Sequence, residues 1–250
     1  MTKKVVIALI AVIVIISMYS FKNEEATAYE KLYLQNLSSC KMEQQKLFDL
    51  IESTTVIDSN SKKIINLQIE KNRTQLKKID FWLRYFEPNE YKKINGPLPV
   101  EWETEVFEKF EKPYKREGAG FTVAEIYLNG TNVQKNVLLD YVRSSIIAIN
   151  TYETKEITRN LGNSDAFFLC NRLYLLNLAT IYSTGFECPN TKNIIPELGQ
   201  MLSDVNQIYA AYNQSFPEKK VDLNYQELYN QTLNFVKNQP KDYTQFDHFT

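Results

Sequence analysis

The stretch KKIINLQIEKNRTQLKKIDFWLRYF, residues 62–86, decides the fold class. Its apolar residues Ile65, Ile69, Leu76, Ile79, Leu83 and Phe86 follow one another at intervals of four, seven, three, four and three. On a helix of 3.6 residues per turn these intervals draw one stripe, with Lys, Asn, Gln and Glu opposite. A strand would alternate at every second position, and this stretch does not. Pro88 ends the helix just beyond Glu87, because the residue before a proline is pushed out of the helical region.

The same period extends both ways. Upstream, Leu32, Leu34, Leu37, Leu47, Phe48 and Ile51 recur near every third or fourth place, until Ser53–Thr55 breaks the pattern and Asp58–Ser61 forms a turn. Downstream, Asn95-Gly96-Pro97-Leu98-Pro99 is the strongest break in the chain, a turn dipeptide with two prolines. An aromatic and acidic stretch with Trp102, Glu103, Glu105, Phe107 and Glu108 follows and closes at Pro113. Gly118-Ala119-Gly120 then allows tight backbone, and Thr122 with Glu125 has the capping-box spacing for a short helix ending at Asn129-Gly130.

Helices are predicted over 132–160, with Val137 or Leu138, Val142, Ile146 and Ile149 inward, and over 164–183, apolar round much of its circumference and so placed centrally. Another has Pro196 in its first turn and carries Leu198, Val205 and Tyr212. A last one from Asn224 to Asn238 carries Leu228, Leu233 and Val236. The expected fold class is all-α: an antiparallel helical bundle with an irregular Pro/Gly crossover at 95–120, preceded by an N-terminal membrane helix.

That membrane helix is read from residues 1–22. Lys3 and Lys4 precede an uncharged run of seventeen residues, Val5 to Phe21. As a helix it rises about 25 Å, the lower end of what crosses a bilayer core. An uncleaved anchor and a cleaved signal peptide both fit; bulky Met18, Tyr19 and Phe21 favour the anchor. The lysines hold the N-terminus in the cytoplasm, so the body is exported in either case. The domain plan is then 1–22 anchor or signal, 23–60 exported helix and turn, and 61–250 the helical bundle. The expected place is the periplasm, tethered to the inner membrane through residues 5–21.

Composition narrows the chemistry. With 29 Lys and Arg against 30 Asp and Glu, the 250-residue chain lacks the basic surplus of a nucleic-acid binder. The one histidine, His248, leaves a Ser/His/Asp triad or a His-rich metal site dependent on the tail. Seven glycines include neither GxxxxGKS/T nor GxGxxG. Cys40, Cys170 and Cys188 form no CxxC or CxxCH, so covalent haem and Cys-based zinc have no motif here. A Cys170–Cys188 bridge is disfavoured: about 14 helical residues place roughly 21 Å between Cys170 and the next turn. The acidic run around Glu103 reads as a solvated face. Arg84 and Glu87, one turn apart and flanked by Tyr85 and Phe86, read as a local ion pair at a helix end. Arg84, Tyr85, Glu87 and Trp102 are the candidate interaction surface.

Several separated segments resemble one module. FWLRYFEP (81–88), INGPLPVE (94–101), REGAGFTVAE (116–125), LYLLNLATIYSTGFECP (173–189) and FDHFT (246–250) are similar to the helical N-terminal region of the larger di-haem cytochrome c peroxidases of Bacteroidetes. The likeness covers nearly everything after residue 60. It implies a parent protein that reduces hydrogen peroxide with electrons from a small periplasmic cytochrome. Haem c is expected in a C-terminal part of that parent, beyond this chain. The chain itself carries no cofactor, is not expected to catalyse alone, and would serve the peroxidase domains in cis as tether or interaction module. A second likeness is to imelysin-like iron- or ligand-binding modules, whose GxHxxE frame matches Gly120–Glu125 with Thr122 in the histidine's place. On that frame alone Glu125 is a candidate metal ligand, and a hydroxyl cannot stand in for imidazole without weakening such a site.

Overall fold

A computed structural model describes residues 26–96 and 118–247. Ten α-helices account for most of them: α1 (Ala28–Ser53), α2 (Ser59–Lys77), α3 (Asp80–Phe86), α4 (Pro88–Ile94), α5 (Gly120–Leu128), α6 (Lys135–Asn150), α7 (Lys155–Leu161), α8 (Ser164–Asn177), α9 (Thr191–Ser215) and α10 (Leu223–Asn238). The all-α expectation holds. Extended pairing among the described residues is confined to two antiparallel bridges, Asn95 with Gly120 and Gly96 with Ala119. They tie together the two stems of the crossover.

The helix starts are written in local side chains. Thr27 accepts from the Glu30 N–H while the Glu30 carboxylate accepts from the Thr27 N–H, a full capping box for α1. Asp58 does the same for α2 with Ser61. Thr154, Asn163, Asn190 and Asp222 cap α7, α8, α9 and α10.

α1 packs on α2, α6 and α9, so segment 23–60 contributes its helix to the same core as the rest. Trp82 of α3 lies at the centre, fully buried, with its indole N–H donating to Tyr29 Oη at 2.7 Å. Tyr33 and Phe81 meet the same indole edge-on, and Phe167 of α8 stacks on Tyr212 of α9 at 3.8 Å. Aromatic rings of this size fill the gaps where helices cross at an angle.

Several expected boundaries shift. The 62–86 helix breaks at Lys78–Ile79, where the backbone tightens to i→i+3 bonds before α3 begins. The 132–160 helix is two, because Thr154 caps a new start. Thr122 lies inside α5 rather than capping it; Ala119 is the cap. Pro196 sits inside α9, past its first turn. α8 is not wholly central: Phe168, Leu169 and Leu176 are exposed, and only the face of Phe167, Cys170 and Tyr174 is covered. In α10, Leu228 points outward and Tyr229 takes the inner place. All three cysteines are free; Cys40 and Cys170 are buried and Cys188 half-buried.

α8 runs on into a π-helical turn, Leu178–Tyr182. At a regular 3.6-residue period Tyr182 would lie about 80° past Tyr174. The wider turn slows that rotation and returns Tyr182 beneath Tyr174, ring centres 6.0 Å apart. Among the described residues no helix is long and apolar enough to cross a membrane. The expected membrane helix at 1–22 lies outside the described residues, as do Trp102, the acidic stretch around Glu103, and His248.

Candidate functional site: a buried charge network

The apolar stripe of α2 and α3 is interrupted on its buried side by Arg73, Lys77 and Asp80. Burying a lone charge is costly, so each must find a partner inside. Arg73, 1% exposed, forks onto Glu197 of α9, with Nε to Oε1 at 2.7 Å and Nη2 to Oε2 at 3.1 Å. Its remaining donors reach the Glu187 carbonyl at 2.7 Å, and Asn95 Oδ1 and Thr122 Oγ1 at 3.3 Å each. The planar guanidinium suits this role because its donors are fixed in one plane. The Thr122 hydroxyl lies 2.8 Å from Asn95 Oδ1 and 2.9 Å from the Glu187 carbonyl, so it is occupied within the network.

A second half adjoins the first. Asp80, fully buried at its carboxylate, takes Arg84 Nε at 3.1 Å and Lys77 Nζ at 3.4 Å. Arg84 also binds Glu187 Oε2 and donates to Tyr91 Oη at 2.9 Å. Its guanidinium lies over the Tyr91 ring at 4.1 Å and near the Tyr182 ring at 5.1 Å, and Lys77 sits 4.7 Å from the latter. The π turn is therefore what brings an aromatic face to both cations. Burial pushes the Asp80 carboxyl up, but Arg84 and Lys77 outweigh it and hold the group below the usual carboxylate range.

Two glycines take a positive φ. Gly120 has φ +67°, and a Cβ there would fall 1.8 Å from the Ile94 carbonyl oxygen. That close approach is what allows the Asn95–Gly120 bridge. Gly185, at φ +68°, turns the chain after the π segment with Ile194 against it.

The network is densely filled. The cavity beside Lys77, Tyr182, Cys188 and Glu197 measures about 20 Å³, room for one water molecule. Substrate-sized space begins only at its outer end, where Glu125 joins an open pocket of about 460 Å³. Glu125 is 4% exposed, stands 3.8 Å from Arg73 Nε, and its Oε2 has no hydrogen-bond partner. Burial raises its carboxyl to about 7; Arg73 pulls it down, while Glu197 and Glu70 push it further up.

The sequence-predicted surface is redistributed. Arg84 turns inward to Asp80 and Glu187 rather than pairing with Glu87, because the buried carboxylates offer it far less competing water. Glu87 is exposed, with its backbone carbonyl accepting from Tyr152 Oη at 2.6 Å, and Tyr85 is half-buried beside Phe86. Among the described residues no group of three His, Cys, Asp or Glu could hold a metal ion. The cysteines do not fit covalent haem either. Cys40 and Cys170 lie buried on different helices, and burial pushes the Cys188 thiol up to about 12. Arg73, Lys77, Asp80, Asn95, Glu187 and Glu197 were not singled out by sequence reasoning. One signal was there: the interval of seven between Ile69 and Leu76 leaves the inward position four after Ile69 to Arg73.

Comparisons with protein-family models, curated proteins and solved structures each found no match.

Proposed function

We propose that the chain is the exported helical domain of a di-haem cytochrome c peroxidase-like protein, held at the inner membrane through residues 5–21. It acts there as tether and interaction module rather than as catalyst. One observation supports this reading. The segments whose sequence resembles that module, 81–88, 94–101, 116–125 and 173–189, are scattered over more than a hundred residues. Their described parts nevertheless meet around one network, through Asp80's neighbour Arg84, Asn95, Thr122 and Glu187. Haem c would be supplied by the parent's own haem-binding part, and the electron donor would be a small periplasmic cytochrome.

The test is the flanking genomic sequence together with the partner. A CxxCH-bearing reading frame continuous with or adjacent to this one, and a haem-staining protein recovered with the tagged chain from membranes, are expected. Absence of any such frame on either side, with no haem recovered, sinks the proposal.

A further inference from the structure

Three helix ends meet at one end of the bundle. α1 begins there, with the Tyr29 N–H donating to Ser215 Oγ at 3.0 Å at the close of α9. The Tyr29 ring meets Phe216, and Phe168, in the second turn of α8, meets Tyr212 edge-on. α2 runs antiparallel to α1, since Asn36 reaches the Lys78 carbonyl while Gln68 reaches Glu43. The connection between them, with Val56, therefore lies at the opposite end. α1 has 26 residues and is about 39 Å long, which separates the two ends.

The apolar run 5–21 stops six positions before Thr27, the cap of α1. A chain extends by at most about 3.6 Å per residue, so Thr27 lies within roughly 22 Å of the end of that run. With the run held in the bilayer, as proposed above, the end of the bundle at Thr27 is kept beside the lipid headgroups. Its side chains suit that place. Phe168 and Leu169, 45% and 44% exposed, stand next to each other on α8. An open pocket of about 470 Å³ lies between the start of α1 and α7, with Glu30, Glu153, Lys155 and Arg159 on its walls. Both carboxylates are engaged, Glu30 by the Thr27 N–H and Glu153 by Lys41 at 2.6 Å. Lys155 and Arg159, one turn apart and exposed, have no carboxylate partner among the described residues.

We propose that this end of the bundle lies on the phospholipid surface, with Phe168 and Leu169 entering the acyl boundary and Lys155 and Arg159 taking lipid phosphates. The placement rests on the membrane reading above. A bilayer tethered six residues away is present at high effective concentration, which a soluble partner for the same side chains would have to overcome. Lys219 is taken by Asp165, and exposed Glu156, Glu218 and Lys220 leave no large net charge at this end. Apolar entry therefore leads the binding and the two free cations orient it.

The experiment reconstitutes the full chain into phosphatidylcholine–phosphatidylglycerol vesicles that contain a lipid with a diazirine in its acyl chain. After flotation and irradiation the protein is digested with trypsin and the label is mapped by mass spectrometry. Residues 160–172 form one tryptic peptide, with Phe168 and Leu169, and residues 47–62 form another, with Val56 from the opposite end. Label in 160–172 at least about fivefold above that in 47–62 is expected. Phe168→Asn with Leu169→Asn should lower it by about threefold or more, and Lys155→Glu, which sets a like charge against the lipid phosphate, by about twofold or more. If the double variant does not fold, Lys155→Glu carries the test, since Lys155 is exposed and unpaired. A chain that leaves the vesicles on flotation overturns the membrane reading and this placement together. A chain that floats with the vesicles but carries equal label in the two peptides, or unchanged label in the variant that is read, overturns the placement alone.

Discussion

Replacing Arg73 with methionine probes the network at its most connected point. The side chain is 1% exposed and reaches partners 22, 49, 114 and 124 residues away in sequence. Methionine fills the aliphatic part of the space but supplies none of the donors. Glu197 is then left buried and without its cation, as is the Glu187 carbonyl without its donor. Removing one partner of a buried ion pair costs about 3–5 kcal/mol. For a domain of this size each kcal/mol moves the melting temperature by about 2–4 °C, so a fall of about 10 °C is expected. Circular dichroism at the helical band during heating measures it. The control is Arg143→Met: Arg143 is half-exposed and pairs with exposed Asp140, so its loss should shift the melt by no more than about 2 °C. Equal shifts for the two variants would refute the assignment of this network as the fold's anchor.

Glu125 makes stability fall with rising pH. Its folded value, about 7, exceeds its ordinary 4.5, so the folded state holds the extra proton between these limits and loses that advantage above them. Allowing for solvent at the pocket mouth, the fall is on the order of 2 kcal/mol, and urea titrations at several pH values should show it vanish in Glu125→Gln. Gly120→Ala should fail to give folded protein or melt at least about 10 °C lower, since a Cβ would strike the Ile94 carbonyl and the φ is unfavourable; a melt within about 2 °C of the parent would show that the stems are not tied as described. Cys40, buried and pushed up to about 12, and Cys170, buried and pushed up likewise, should resist iodoacetamide at pH 8 until denaturant is added, as mass spectrometry of the alkylated chain would show.

Periodicity made the helices legible because each is locally determined: Ile65, Ile69, Leu76, Ile79 and Leu83 are all fully buried, as their spacing implied. The caps at Asp58, Thr154 and Asn163 were equally local, yet a polar residue in a helix-forming run does not announce whether it starts a helix or decorates one. The network was not legible for a different reason. Nothing in the local pattern pairs Arg73 with Glu197, and a charge on the buried side of a stripe looks like a defect until its partner is known. Arg84 shows the hazard most plainly. Its neighbour at helical spacing, Glu87, offered an obvious pair, and the partner it takes instead, Glu187, lies a hundred and three residues away. Trp102 and the acidic segment around it fall outside the described residues, so of the expected surface only Arg84, Tyr85 and Glu87 have positions to compare.

The pairing of Asn95–Gly96 with Ala119–Gly120 has a consequence for the helices on either side of it. Two backbone rungs fix the spacing of residues that stand more than twenty positions apart in the chain. The two rungs therefore hold Gly96 and Ala119 side by side, so the register of α4 against α5 is set by backbone pairing as well as by side chains.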